Sequence, residues 1–485
     1  MKELELGSGF ELQTIISEMV EQKRDNTIAL SNNIWDCPEI YFEEHRSAAY
    51  VCKALEEEGF QIEREVAGLQ TGFIGSFGAG KPIVAILGEF DALAGLSQQK
   101  GVAQHEPIAA GGHGHGCGHN LLGAGAFAAA VAIKDYMQQT GLQGTVRYYG
   151  CPAEESGSGK AYMARAGLFD DVDLALSWHP FTSPRMMNDS SLANYSVTFK
   201  FDGKSAHAAA APHLGRSALD AVELMNVGVN YLREHMIPEA RVHYAITDTG
   251  GISPNVVQPH AEVVYLIRAP KKQQVEALYE RVLNVARGAA LMTGTTMDVE
   301  FEGTASNLIP NTTLANAMYK HLVAVGAPAY DEFDYQFAKE IRATLSQEDI
   351  QAALGGLDRE TVQALKDKDI VDVIPPLGNE GALAGSTDVG DVSWIVPTMQ
   401  CMTTCWALGT PFHTWQVVSQ GMMPIAHKGM LQAGKVIACT AIEAMQSPQL
   451  IEQARAEWKQ RLDGDVYTSL IPEHVLPPLK GAVNA

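Results

Sequence analysis

Positive charge is scarce in this sequence: 35 Lys and Arg stand against 57 Asp and Glu, a formal charge of −22. Such a balance repels phosphate backbones and anionic lipid surfaces, so neither nucleic acid nor a membrane is an expected partner. An anionic small molecule would need a local cationic pocket, which gives isolated arginines interest. Charged residues make up only 19% of the chain, too few for a disordered polymer, and no long polar tract interrupts it. Long apolar runs are also missing: the longest, around Gly123–Ile133, is Ala-rich and too short to span a bilayer. Seven cysteines, scattered and odd in number, make no disulfide framework. The opening residues carry no basic stretch followed by an apolar one, so no secretory leader is expected. A reducing, cytoplasmic setting fits these absences best.

What is present is a large apolar reserve. Of 485 residues, 46% are hydrophobic, and a single core rarely grows past about 250–300 residues, so two compact units are expected. The first third alternates strands and helices. Pro82–Glu89 (PIVAILGE), Thr145–Tyr149 and Asp173–Trp178 (DLALSW) read as strands, and Leu121–Met137 as a long Ala-rich helix. This interleaving predicts an α/β fold, a mainly parallel mixed sheet sandwiched by helices. From Asn194 the pattern changes: Tyr195–Phe201, Arg241–Thr247, Ala261–Arg268 and Thr296–Glu302 read as strands, with helices over Ser217–His235 and Lys272–Met292. That order, β-α-β-β-α-β, predicts a ferredoxin-like insertion at residues 193–305, with 1–192 and 306–485 as the two parts of the main domain. Residues 330–370 are charged and helical and read as a peripheral addition. An apolar run at Cys401–Leu408 and a helix from about Pro424 to Met445 follow.

Four short segments hold residue types that bind metals or move protons. GGHGHGCGHN, with His113, His115, Cys117 and His119, follows a predicted strand and precedes a helix, the rim where open α/β sheets place their sites. Alone, such a loop could be a flexible turn or an adventitious metal binder. Cys117 and His119 are its strongest ligand candidates, because thiolate and imidazole suit zinc-like ions and alternate positions of extended chain share a side. His113 and His115 remain loop residues. CPAEESGSG sets Glu154 beside Glu155 after a strand; neighbours point apart, so one carboxylate can bind metal while the other moves protons. His179, in Trp178-His179-Pro180, ends a third strand, and His413 lies in the turn GTPFHT; either alone would be ordinary.

Together with LGEFDALAGLSQ, AHAAAAPHLGRSALDAV, GGISPNVVQ and STDVGDVSW, these segments resemble the aminoacylase, carboxypeptidase and indole-acetyl-amino-acid hydrolase family of two-metal peptidases, from about Trp35 to the AHKGM segment. The resemblance implies an aminopeptidase/carboxypeptidase-like fold whose insertion is a lid and dimerisation domain. It also implies hydrolysis of the amide bond of a small N-acyl amino acid. It puts two divalent ions, zinc or manganese, on Cys117, His119, Glu155, His179 and His413, and the general base on Glu154. Asp91 would orient a ligand. His207 would donate to the developing oxyanion across a homodimer, while Asn255 and Arg268 would hold the substrate's carbonyl and carboxylate. A guanidinium binds a carboxylate bidentately, so Arg268 would supply the cationic spot that the acidic chain otherwise lacks.

Two departures stand out. CGHN runs on into Leu121-Leu122 where many relatives have CGHD and a further His, and Glu89 stands where relatives often have Asp or His. Both fit the aminobenzoyl-glutamate branch of the family, whose substrate comes from folate breakdown and in which two related chains pair as a hetero-oligomer. A hydrolase for another N-acyl amino acid or a dipeptide would differ only in pocket shape. A non-catalytic, regulatory chain would have lost the base or a ligand; here all are present, which favours catalysis.

Overall fold

Ile83–Glu89 (IVAILGE) and Thr398–Thr404 (TMQCMTT) are buried along their whole length, which suits strands covered on both faces. The computed structural model, which describes residues 9–378, 380–383 and 385–479, puts both inside a seven-stranded sheet. The start of the chain, where no leader is expected, falls partly outside the described residues. The sheet order is Gln61–Arg64, Phe73–Ala79, Gly144–Cys151, Ile83–Glu89, Leu174–Phe181, Thr398–Thr404, Arg185–Met186. The four strands from Gly144–Cys151 to Thr398–Thr404 run parallel, and antiparallel strands finish each side. The sheet is therefore mixed and mainly parallel, as the alternation of strands and helices predicts.

Helix His119–Thr140 lies against this sheet and packs on helix Pro424–Gln446. Small residues set the spacing: a Cβ on Gly125 would come within 2.6 Å of Trp178, and one on Gly434 within 3.0 Å of the Ala128 methyl. Trp178 is fully buried and donates its indole N–H to Leu122 O at 2.9 Å. Among the described residues no helix is long and apolar enough to cross a membrane, and all seven cysteines are free and buried.

The apolar run at Cys401–Leu408 divides in two. Its strand stops at Thr404, and the remainder turns back beneath helices Glu332–Arg342, Gln347–Ala353 and Arg359–Leu365. Phe337 and Ile341 meet Ala407 and Ile425, while Ile350 and Leu365 meet Leu408. Leu408 N donates to Asp369 O at 2.9 Å. Residues 330–370 thus brace the turn that leads to His413.

A second sheet has four antiparallel strands in the order Thr296–Ala305, Ala193–Asp202, His260–Ala269, Arg241–Asp248. Strand His260–Ala269 alternates strictly between buried and half-buried residues, the signature of a sheet with one covered face. Helices Ala218–Leu232 and Lys272–Thr293 cover that face, and Phe199, Tyr265, Met225 and Val282 fill the core between. Beyond helix Pro448–Leu462 the chain touches both sheets' surroundings. Lys272 Nζ donates to Thr468 O (2.8 Å), Tyr467 donates to Asp391 Oδ1 (2.9 Å), and Arg165 donates to Pro472 O (3.0 Å) and Val475 O (2.9 Å).

Candidate metal centre

All candidate ligands lie at or beyond the carboxyl ends of the parallel strands, the rim at which open α/β sheets bind ligands. Cys117 and His119 follow Ile83–Glu89, Glu154 and Glu155 follow Gly144–Cys151, His179 sits near the end of Leu174–Phe181, and His413 follows Thr398–Thr404. Gly118 turns the chain into the helix with φ 79°, and a Cβ there would lie 2.7 Å from Trp406, so only glycine fits. Ala153 (φ 58°) and His413 (φ 60°) hold left-handed backbone despite their side chains, a strain of about 1–3 kcal/mol each that the surroundings must overcome. They do so with specific bonds. Ala153 N donates to Glu44 Oε1 (2.8 Å), Glu155 N to Asp91 Oδ2 (2.9 Å), and His413 N to Gly116 O (2.8 Å).

These loops bring Cys117, His119 and His179 together with their donor atoms within 4.8 Å of one another, and likewise Cys117, Glu155 and His413. Cys117 belongs to both groups, so its sulfur faces both. Sγ lies 3.5 Å from His179 Nε2, and His413 Nε2 lies 3.3 Å from Glu155 Oε2. Glu154 Oε2 is 4.0 Å from His119 Nε2.

The side chains fit a pair of divalent ions. His119 Nε2 and Glu155 Oε1 are buried with no hydrogen-bond partner. Nδ1 of His119 is engaged by Asp91 Oδ1 at 2.8 Å, and Nδ1 of His179 donates to Pro180 O at 2.8 Å, which leaves both Nε2 atoms as ligands. Burial, reinforced by His119, pushes His179 down to about 4 and keeps it neutral near pH 7. Burial opposes charging of His119 too, but Asp91 and Cys117 outweigh it and make the ring more basic. Burial raises the Cys117 thiol well above its usual range, with Glu155 adding to it, and raises Glu155 to about 7. Anions buried this way are costly without a cation, and the sulfur, imidazole and carboxylate donors match zinc-like ions.

The other expected site residues lie on or near the four-stranded sheet. His207 is exposed, its Nδ1 accepting from Ala209 N and Ala210 N, both at 3.2 Å. Asn255 is exposed, and its carbonyl accepts from Ala208 N at 3.0 Å. Arg268 stands half-buried on strand His260–Ala269, its Nε without a hydrogen-bond partner. Among the described residues no hydrogen bond or ion pair joins these three to the metal-binding cluster. His115 is structural, its Nε2 bonded to Ile34 O at 3.0 Å. The Asn of CGHN has a role as well: Asn120 Nδ2 donates to Ser31 Oγ (3.1 Å) and Gly421 O (3.0 Å).

Reading the sequence alone missed Glu44, Lys160 and Asp388. Glu44 holds the Ala153 turn, and burial beside Asp91 raises it to about 8. Lys160 was findable in hindsight. It stands in a Gly/Ala-rich segment with no charged neighbour (SGSGKAYMA), and a lysine buried there demands an anion.

Residues 85–357, more than half of the chain, match the family model described as Peptidase family M20/M25/M40. The chain belongs to that family. Over 480 residues it is 51% identical to a p-aminobenzoyl-glutamate hydrolase subunit of Escherichia coli (strain K12), covering 97% of this chain and 100% of that protein. Its fold is similar to the crystal structure of aminobenzoyl-glutamate utilization protein from Klebsiella pneumoniae (17% identical, TM-score 0.57, covering 88% of this chain and 98% of that one). It is also similar to YXEP from Bacillus subtilis, a dinuclear metal-binding M20 peptidase (18% identical, TM-score 0.52, covering 86% and 99%). As an M20 hydrolase, this chain is a metal-dependent amidohydrolase.

Proposed function

We propose that this M20 chain hydrolyses p-aminobenzoyl-glutamate to p-aminobenzoate and glutamate in the cytoplasm. The observation that carries the reading is Glu154, its Oε2 4.0 Å from His119 Nε2, beside the gathered Cys117, His119, Glu155, His179 and His413. The 51% identity to a p-aminobenzoyl-glutamate hydrolase chain supports the substrate, and seven unpaired cysteines support a reducing compartment.

Two divalent ions, zinc or manganese, held by those five residues would lower the pKa of water to about 7 and polarise the amide carbonyl. The shared Cys117 sulfur favours zinc. Glu154 takes a proton from the attacking water and delivers it to the departing glutamate nitrogen, work typically worth about 10²–10⁴-fold. Arg268, with no acid on its guanidinium among the described residues, is assigned to the α-carboxylate, Asn255 to the carbonyl, and His207 to the oxyanion in the site of a second copy.

A homodimer through the four-stranded sheet is supported by its exposed apolar residues. Leu224, Val227 and Tyr231 lie on one stripe of helix Ala218–Leu232, beside Tyr244 and Ile246 on the open edge strand. A related chain could take the same place in a hetero-oligomer.

The test is turnover by the purified chain, loaded with zinc or manganese, of p-aminobenzoyl-glutamate against other N-acyl amino acids and dipeptides. Fastest turnover of p-aminobenzoyl-glutamate is expected. Slower turnover of it than of the rest would overturn the substrate. Activity that appears only with a related chain and survives Glu154→Gln would make this a regulatory chain.

A further inference from the structure

Glu89 lies outside the five-residue ligand set, yet it is the nearest of three carboxylates to a key ligand atom. Its Oε2 is 3.3 Å from His119 Nε2, against 3.9 Å for Glu155 Oε1 and 4.0 Å for Glu154 Oε2. That nitrogen is fully buried and has no hydrogen-bond partner, and Asp91 occupies the other nitrogen of the ring. The 3.3 Å approach of Glu89 Oε2 makes no hydrogen bond with that nitrogen, so the two donor atoms face a common space. A span of 3.3 Å suits two donors that each bind one ion at about 2.0–2.2 Å. Glu89 and Glu154 also form a third metal-competent group with His119.

The other oxygen of Glu89 is tied down. Oε1 lies 2.7 Å from Lys160 Nζ, and the same ammonium lies 2.6 Å from Asp388 Oδ1; the three side chains are at most 3% exposed. Asp388 Oδ2 also accepts the backbone N–H of Lys160 at 2.8 Å, so one carboxylate fixes both the main chain and the side chain of the lysine. Gly159 lets the loop fold this tightly, since a Cβ there would meet Pro152 O at 2.0 Å. Lys160 thereby fixes Oε1 of Glu89 and leaves Oε2 turned toward His119.

We propose that Glu89 is a sixth protein donor, to the ion on the His119 and His179 side, and that Lys160 is the positioning residue that aims it. This rests on the dinuclear reading above and extends it. It also absorbs the STDVGDVSW segment, whose Asp388 serves to anchor the lysine.

Equilibrium dialysis against zinc or manganese, followed by metal analysis, tests it without recourse to activity. The wild-type chain is expected to hold about two ions. Glu89→Gln, nearly isosteric, should weaken one of them by about 10–100-fold and leave the other unchanged. Lys160→Met should do the same although it touches no ion, and Lys160→Arg should restore part of the loss. Glu89→Gln with both ions bound as tightly as in the wild type overturns the proposal, whatever Lys160→Met does. A Lys160→Met chain that fails to fold leaves Glu89→Gln to decide. A wild-type chain that binds no ion would instead sink the dinuclear reading, and Cys117→Ala, expected to disturb both ions, separates the two failures.

Discussion

In the seven-stranded sheet the central strands bury both faces and collect their polar groups at one end, whereas the four-stranded sheet buries one face and leaves large apolar residues in water. Ile83–Glu89 has no exposed position, while Tyr231 is 73% and Leu291 85% exposed on the helices of the smaller unit. The first arrangement completes a cage of donors within one chain. On the second, among the described residues, no hydrogen bond or ion pair joins His207, Asn255 or Arg268 to those donors. The contrast teaches that a sheet covered on both faces gathers its donors at one rim, whereas a sheet covered on one face leaves its polar groups apart.

The largest expected effect falls in the finished site. Glu154→Gln should lower kcat by about 10²–10⁴-fold with metal content unchanged; a loss of metal instead would show that Glu154 is a ligand. Next is His207→Ala, expected to cost about 2.7–4 kcal/mol of transition-state stabilisation. Mixing the two inactive variants under conditions that let protomers exchange should restore activity, because each supplies what the other lacks. If the mixture stays dead, the claim that the smaller unit works in a neighbour's site fails.

Packing offers a gentler version of the same comparison. Gly125→Ala, pressed against Trp178, should destabilise the larger unit by about 1–3 kcal/mol in denaturant titration. Gly288→Ala, with open space around it in helix Lys272–Thr293, should raise stability by about 0.5–1 kcal/mol. Equal responses would mean that the two units are packed alike.

The smallest effect is on acid sensitivity. Burial, with Arg24 adding to it, holds His427 down at about 4, whereas an unfolded chain takes that proton at about 6.5. The stability that this histidine contributes is therefore complete above about pH 6.5 and is lost as the pH falls toward 4. Tm measured from pH 7 to pH 4 should fall less steeply in His427→Gln. In the smaller unit the hydrogen bonds that His260 donates to Asp202 and Glu262 raise it, so its contribution is present below about pH 6.5 and fades as the pH climbs through the raised value. Acid should weaken the two units unequally.

The parallel strands and their rim were legible in the sequence because their signals are local: contiguous apolar runs, then Cys, His and Glu at a strand end. Gln61–Arg64 and Phe73–Ala79 escaped because the first is short and mostly exposed and the second mixes Gly, Ser and Phe without a period. The break at Thr404 escaped because no Gly, Pro or charge marks it in TMQCMTTCWAL; the helices at 330–370 decide it from outside. Lys160 and Asp388 stand 228 positions apart, and no spacing rule links such residues. Only the tertiary fold makes a charged pair of them.

The chain's last described stretch has a mechanical meaning. Arg165 holds Pro472 and Val475 on the larger unit, and Lys272 holds Thr468 on the smaller one. Only a few residues separate the two grips, so the stretch acts as a short tether across the joint. With the direct bond from Thr304 N to Ser158 Oγ at 2.8 Å, the stretch gives the small sheet a second attachment to the larger unit.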